Sequence, residues 1–183
     1  MQYDFAAKVL FEGAKNNVDN ISTNTRDSIF QWVLNEFENK PLRVYQVGAI
    51  ETFRLDWRIG SGWSDTIFGP HIRDYGGKLT VVDINVDNIA HTFLAAKSLG
   101  YEVDTIFGDA IDYIDDEPYD VYYLDGSNDP KETLDQFNKI KHNKCIVIVD
   151  DFSIKGTLLA KERRDFIVRN VANQVGILDM RDK

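Results

Sequence analysis

The sequence of 183 residues lacks any uninterrupted apolar stretch of about 18 residues, and it has no positively charged leader followed by an apolar run. These absences argue against a membrane protein and against a secreted one. The chain has a single cysteine, Cys145, within the apolar run CIVIV. This excludes a disulfide scaffold and predicts a small core residue in a reducing compartment. We therefore expect a cytoplasmic protein.

Positive charge is also scarce. Lys and Arg number 21 against 30 Asp and Glu, which gives a formal net charge of −9. A field of this sign repels phosphate, so the composition argues against binding to nucleic acid or to anionic membranes. A small molecule is the favoured partner, and the sequence leaves a homo-oligomer open.

Several catalytic patterns are missing as well. The three histidines, His71, His91 and His142, are scattered along the chain and lack the clustered spacing of a zinc site. A G-x-S-x-G elbow is absent, which leaves nucleophilic hydrolase chemistry unsupported. The G-x-G-x-x-G spacing of dinucleotide-binding proteins does not follow the first apolar run, where Gly48 is succeeded by Ala49, Ile50 and Glu51.

What the chain does contain is an alternation of strand-like and helix-like segments. Short apolar runs predict strands at residues 44–47, 79–82, 101–107, 119–124, 145–149 and 175–178. Apolar residues at helical spacing predict helices before and between these strands, the last of them at 157–172. This order predicts an α/β protein, a single-domain Rossmann-like three-layer sandwich whose mostly parallel sheet carries helices on both faces.

The boundaries follow from the same pattern. We expect residues 1–40 to form an N-terminal helical extension packed on the same domain, and residues 41–183 to form a Rossmann-like nucleotide-binding domain. The extension either covers one face of the sheet or lies over its ligand-binding edge, and the sequence favours neither alternative.

The stretch from Pro41 to Asp83 organises the predicted domain. An apolar strand leads to Gly48, which can leave it through a tight turn. A glycine-bearing loop follows, and Ser64 is placed to cap the next helix. The second strand then ends on Asp83, whose carboxylate can accept hydrogen bonds from both hydroxyls of a ribose. A strand, a glycine loop, a helix start and a strand ending in an acid form half of a nucleotide-binding unit.

Carboxylates recur where the predicted strands end. They are Asp83, Asp109, Asp125 and the pair Asp150 and Asp151. Any one of them could be a turn former or a helix cap. Together they would line one edge of a parallel sheet, where ligands bind in such folds. An acidic edge suits a ligand that is cationic or neutral and rich in hydroxyl and amino groups, and it suits phosphate poorly.

Five motifs at these strand ends carry a family resemblance: QVGAI, VVDI, FGDA, YDVYYLDGS and IVDDF. Over residues 42–180 the chain resembles the class I S-adenosylmethionine-dependent methyltransferases, and within them the methyltransferase-24 and catechol O-methyltransferase-like groups. The resemblance implies a Rossmann-like fold, S-adenosylmethionine as the cofactor bound by the domain at residues 41–183, and O- or N-methylation of a small molecule, a sugar or a similar acceptor.

The resemblance also implies roles for individual residues. Asp83 would hold the ribose hydroxyls, Ile84 would pack on the adenine, Asp109 would accept from the adenine amino group, and Asp125 would lie near the sulfonium. Gly48 and the segment 60–64 would line the methionine moiety. The implied cofactor-binding set is Gln46, Gly48, Gly60, Gly62, Ser64, Asp83, Ile84, Asp109, Ala110 and Asp125.

In catechol-type relatives, acids after the fourth and fifth strands hold a divalent cation. The matching residues here are Asp125, Asp150 and Asp151, which are oxygen ligands suited to Mg²⁺. The resemblance gives Asp125 and Asp150 the catalytic role. The lysine base that follows the fourth strand in these relatives is missing here. Lys155, close to the second acid pair, is either a substitute base or a solvated lysine in a loop.

The chain departs from the family in three respects. Gln46 stands where an acid is usual, the loop between Gly48 and Gly60 is long, and the sequence predicts that the final antiparallel strand is absent. Two rival functions therefore stay open. One is a non-catalytic protein, or partner subunit, that binds S-adenosylmethionine or a nucleoside. The other is an NAD-dependent oxidoreductase.

Overall fold

A computed structural model describes residues 26–52, 63–114, 117–141, 144–152, 155, 158–159, 167–172 and 175–181. Its helices are α1 (Arg26–Glu36), α2 (Asp65–Tyr75), α3 (Val86–Leu99) and α4 (Pro130–Lys139), with a 3₁₀ turn at Ala110–Asp112. Its strands are β1 (Leu42–Val47), β2 (Gly77–Asp83), β3 (Asp104–Phe107), β4 (Val121–Leu124), β5 (Ile146–Val149), β6 (Ile167–Ala172) and β7 (Val175–Asp179). None of the described helices is both long enough and apolar enough to cross a membrane.

The strands form one seven-stranded sheet in the order β3-β2-β1-β4-β5-β7-β6. The five strands from β3 to β5 are parallel, with Val47 in register with Val82 and with Leu124. Each of the six predicted strands overlaps one of these strands, so the predicted α/β class is confirmed. Because β1 to β5 are parallel, their carboxyl ends lie at one edge of the sheet.

The far end of the sheet differs from the prediction. The final antiparallel strand was expected to be absent, yet β7 pairs antiparallel with β5, and β6 pairs antiparallel with β7. Residues 167–172, which were assigned to a long helix, form β6 instead. The segment contains the β-branched residues Ile167, Val168 and Val171, which favour extended backbone. Pairing along β7 therefore outweighs the apolar spacing that suggested a helix.

Two apolar clusters lie on the two faces of the sheet. On one face α1 contributes Ile29, Phe30 and Val33 to the same cluster as residues of α2 and α3. The ring of Phe30 packs edge-on against the rings of Phe68 and Tyr123, with ring centroids 5.5 Å and 5.3 Å apart. The described part of the N-terminal extension therefore covers a face of the sheet. The other face packs against α4 and the 3₁₀ turn.

Helix α3 shows how local chemistry sets its ends. Asn85 caps its start by accepting a hydrogen bond from the backbone amide of Asp87 at 2.9 Å. Gly100 ends the helix with φ of 74°, in the left-handed region that glycine adopts at no steric cost.

Candidate functional site

Gly48 makes the turn at the end of β1. Its φ is 93°, and a Cβ there would lie 3.0 Å from the carbonyl oxygen of Asp125 and 3.4 Å from the Cα of Gly126. No other residue fits this conformation and this approach without strain. The absence of a side chain thus lets the tips of β1 and β4 close against one another.

Gln46 and Ser64 join this turn to the start of α2. The Gln46 side chain is fully buried, and its Nε2 donates to the carbonyl oxygen of Gly48 at 2.8 Å. Its Oε1 accepts from the Ser64 hydroxyl at 2.9 Å. Ser64 makes no capping hydrogen bond to α2, so its predicted role as a cap is wrong. Both side chains serve to hold the turn.

Asp83 ends β2 and is held by three donors. Its Oδ2 accepts from the Ala49 amide at 2.9 Å and from Asn88 Nδ2 at 3.1 Å. Its Oδ1 accepts from the Asn85 amide at 2.7 Å. A carboxylate has about four acceptor positions, so Oδ1 keeps capacity for a further donor. The carboxylate is therefore oriented before any ligand arrives.

Asp109 and Ala110 follow β3. The Asp109 carboxylate accepts from the Ile111 amide at 3.1 Å and so caps the 3₁₀ turn. The Tyr45 hydroxyl donates to the Ala110 carbonyl oxygen at 3.0 Å and anchors the turn to the sheet. Across from this turn, Ile84 leaves its side chain 74% exposed. An exposed isoleucine beside an anchored turn offers an apolar surface to a flat ligand.

These strand ends surround a cavity of about 340 Å³. That volume lies within the range of small-ligand sites. Five residues of the predicted cofactor set line it together: Gly48, Asp83, Ile84, Asp109 and Ala110. Helix α4 adds Glu132, Asp135 and Gln136 to the lining, and no motif in the sequence marked these three residues.

Every charged residue that lines this cavity is acidic. Four carboxylates face it, from Asp83, Asp109, Glu132 and Asp135, and the lining contains no lysine or arginine. Phosphate groups are bound through such cations or through a helix N-terminus. The cavity therefore suits hydroxyl groups, an amino group and a positive charge, as the strand-end acids predicted.

The acids after β4 and β5 are arranged differently. The Tyr123 hydroxyl donates to Asp125 Oδ2 at 2.9 Å. Asp150 is buried, and Asp151, with φ of 51°, turns its carboxylate to within 3.8 Å of the Lys155 ammonium. In the part of the chain that the structure describes, no three His, Cys, Asp or Glu residues are grouped so that they could hold a metal ion. The predicted magnesium site on Asp125, Asp150 and Asp151 is therefore not supported.

Lys155 also departs from expectation. It is 1% exposed, and its ammonium makes no hydrogen bond within the described residues, so the interpretation as a solvated loop lysine is wrong. The ammonium of Lys155 forms an ion pair with the Asp151 carboxylate at 3.8 Å.

A further buried acid lies beside Ser64. Asp65 is fully buried at the start of α2, and neither of its oxygens has a hydrogen-bond partner within the described residues. Burial raises the pKa of this carboxyl from 3.8 to about 8. The Tyr101 hydroxyl is buried without a partner as well, and burial together with the charge of Asp65 raises its pKa.

The remaining residues considered in the sequence either lie outside the described part of the chain or lie away from the cavity. Gly60, Gly62 and His142 lie outside the described residues. His71 Nε2 lies 3.0 Å from the Lys40 carbonyl oxygen, and His91 Nδ1 lies 3.2 Å from the Ile50 carbonyl oxygen. Both described histidines therefore bond to backbone, and neither lines the cavity.

No protein-family model matches the chain, and no curated protein matches it. Several solved structures are similar to this chain in fold. The SAH-bound methyltransferase PaMTH1 of Podospora anserina is 17% identical with a TM-score of 0.63, over 97% of this chain and 88% of its own. Cofactor-bound Rv0187 from MTB is 12% identical with a TM-score of 0.63, over 97% and 90%. A methyltransferase from Geobacter sulfurreducens is 14% identical with a TM-score of 0.57, over 96% and 87%. The chain thus has the fold of class I methyltransferases, as the motifs at its strand ends predicted.

Proposed function

We propose that this protein is an S-adenosylmethionine-dependent methyltransferase that O- or N-methylates a small molecule, a sugar or a similar acceptor. The observation that carries the proposal is the cavity in which Gly48, Asp83, Ile84, Asp109 and Ala110 meet at the carboxyl edge of the sheet. Each of these residues offers what one part of the cofactor requires.

The chemical fit can be followed along the cavity. Asp83, held by three donors, accepts from the ribose hydroxyls, and Ile84 packs on the adenine ring. Asp109 accepts from the adenine amino group beside the amide of Ala110. Gly48 leaves room for the methionine moiety at the tip of β1. The acidic lining favours a sulfonium, and the lack of a cation in it disfavours the pyrophosphate of NAD.

Methyl transfer asks mainly for alignment, because the bound cofactor supplies a methyl group already activated by its positive sulfur. Asp125, at the tip of β4, has its carbonyl oxygen against Gly48 and its carboxylate held by Tyr123. It and Asp150 are the proposed catalytic residues, and their part is to orient an acceptor hydroxyl or amine and to take its proton. No metal ion is assigned a step.

A second candidate is a protein that binds the cofactor without catalysis. One observation favours it: neither Asp125 nor Asp150 lines the cavity, whereas five residues of the cofactor set do. An acceptor screen with methyl-labelled S-adenosylmethionine separates the two candidates. The methyltransferase should label a member of the small-molecule classes, with and without Mg²⁺. Tight cofactor binding with no labelling in any class would favour the binding protein.

Calorimetric titration tests the cofactor itself. We expect S-adenosylhomocysteine to bind and NAD not to bind. Asp83→Asn should weaken the binding about 10- to 100-fold, since hydrogen bonds to a charged acceptor contribute about 1.5–3 kcal/mol. Asp112→Asn is the matched control, because Asp112 is an exposed acid of the 3₁₀ turn that does not line the cavity. Equal affinities for the wild type and both variants would contradict the assignment of Asp83.

A further inference from the structure

Helix α3 has apolar residues on two opposite faces. Its inner face is buried against the sheet and α2, and it contains Ala95, Ala96 and Leu99. Four further apolar residues of the helix are exposed: Val86, Ala90, Phe93 and Leu94. Val86 is 58% exposed and Phe93 is 53% exposed. A helix that is apolar all round is normally buried, so this second face indicates a partner that covers it.

One charge of each sign lies near each end of this second face. Asp87 and Lys97 are both exposed, and neither forms an ion pair with another described residue. The steps from Asp87 to Ala90, Leu94 and Lys97 are three, four and three residues, which places them on one side of the helix. The two charges lie about 15 Å apart along the helix axis. We call the following six residues the outer face of α3: Val86, Asp87, Ala90, Phe93, Leu94 and Lys97.

We propose that the outer face of α3 binds the same face of a second copy of this chain, with the two helices antiparallel about a two-fold axis. In such an interface, if one residue contacts another, the same contact is made a second time with the copies exchanged. Asp87 then meets the partner's Lys97 at both ends of the helix pair. Ala90 meets the partner's Leu94, so a small side chain lies opposite a large one. A parallel pairing would instead place Asp87 against Asp87 and Lys97 against Lys97.

The place of α3 in the fold leaves room for a second copy. The helix packs against α2, β2 and β3, and β3 is the edge strand at one end of the sheet. The outer face therefore lies at the side of the molecule, near the edge strand.

The charges favour a second copy over other partners. The whole chain has a formal net charge of −9, so its field repels an anionic membrane or another acidic surface. The outer face differs from the rest of the chain because its one acid and its one base balance. A balanced face with opposite charges at its two ends is complementary to itself, and it offers no excess charge to a strongly basic partner.

Sedimentation equilibrium of the full chain tests the proposal. We expect the wild type to dimerise with a micromolar Kd, because a single helix pair forms a small interface. Phe93→Ser should raise Kd about tenfold or more, since the dimer loses an apolar side chain from each copy. Tyr75→Ser is the matched control: Tyr75 is an aromatic residue of α2, 45% exposed and outside the outer face. Its Kd should equal that of the wild type.

Charge reversal tests the antiparallel pairing. Asp87→Lys or Lys97→Glu alone places two pairs of like charges in each dimer, so either variant should raise Kd about 2- to 30-fold. The double variant Asp87→Lys/Lys97→Glu restores two pairs of opposite charges, and its Kd should fall back towards that of the wild type. Added salt should reduce the differences among these variants, because exposed charges are screened.

Each outcome bears on the proposal directly. A wild type that stays monomeric at every concentration overturns it, and the outer face would then belong to a different partner. A dimer that Phe93→Ser leaves intact overturns it as well, because that dimer would form through another surface. A double variant that is no tighter than the single variants overturns the antiparallel pairing. All these measurements are made without a cofactor, so their results do not depend on the proposed function.

Discussion

Asp65 makes the stability of this protein depend on pH in a direction opposite to that of most carboxylates. Its pKa rises from 3.8 to about 8 because the full burial of the carboxyl outweighs the nearby Thr66 backbone and Thr92 side chain, which lower the pKa. In the unfolded chain the group ionises near 3.8, whereas in the folded chain it stays protonated up to about 8. Folding therefore takes up a proton between these values, and the free energy of unfolding falls as pH rises through that window.

The magnitude follows from the shift. One pKa unit corresponds to about 1.4 kcal/mol, so this group should lower the free energy of unfolding by about 1.4 kcal/mol per pH unit between pH 5 and pH 8. Asp65→Asn removes the titration and keeps the shape. The free energy of unfolding of the variant, relative to that of the wild type, should therefore increase by about 1.4 kcal/mol per pH unit as pH rises.

Urea unfolding at pH 5, 6, 7 and 8 measures the difference between the two free energies of unfolding directly. Each free energy is calculated from the midpoint and the slope of its own transition. Asp74→Asn is run beside it and reports the effect of removing an exposed carboxylate from the same helix. Free energies for Asp65→Asn and the wild type that stay parallel across the four pH values would refute the burial argument, because the native carboxyl would then titrate as it does in the unfolded chain.

Two further substitutions test the edge of the sheet. Gly48→Ala should lower the free energy of unfolding by about 1–3 kcal/mol, because φ is 93° there and the new Cβ would meet the Asp125 carbonyl oxygen at 3.0 Å; a stability equal to the wild type in urea unfolding would show that the turn relaxes freely. Lys155→Met should leave stability unchanged or raise it, because it removes a buried ammonium that makes no hydrogen bond within the described residues, while the Asp151 carboxylate, 28% exposed, can still be hydrated. A loss above about 2 kcal/mol in the same assay would show instead that the contact with Asp151 is strongly stabilising.

The parallel half of the fold could be predicted because its signals are local. Strands such as β5, buried on both faces, read as short uniform apolar runs, and Pro130 marks the start of α4. The antiparallel end could not be predicted in the same way. The segment of β6 has apolar residues at a spacing that also fits a helix, and its strand conformation depends on pairing with β7, a partner that is not visible until the sheet is assembled.

The residues of the site also separate into those that local sequence signals predict and those that only the folded chain brings together. Asp83 and Asp109 could be predicted as neighbours because the ends of parallel strands must share an edge. The contribution of α4 was missed because acidic and amide side chains are ordinary on a helix surface, so Glu132, Asp135 and Gln136 carried no signal of a cavity in the sequence. Ser64 was misassigned for a related reason, since its hydroxyl had two uses and only the folded chain brings Gln46 within its reach.

The acids at the carboxyl edge of the sheet differ in how many hydrogen bonds within the protein hold their carboxylates. Asp83 is bound by three internal donors and Asp125 by Tyr123, while Glu132 and Asp135 on α4 make no hydrogen bond or ion pair within the described residues. A carboxylate held in place can orient a ligand without first losing its own freedom, so the strand-end acids are suited to recognition. The unheld acids of α4 can change only the potential of the cavity. Recognition should therefore be lost on substitution at Asp83, whereas substitutions at Glu132 and Asp135 should mainly weaken the preference of the cavity for a positively charged ligand over a neutral one.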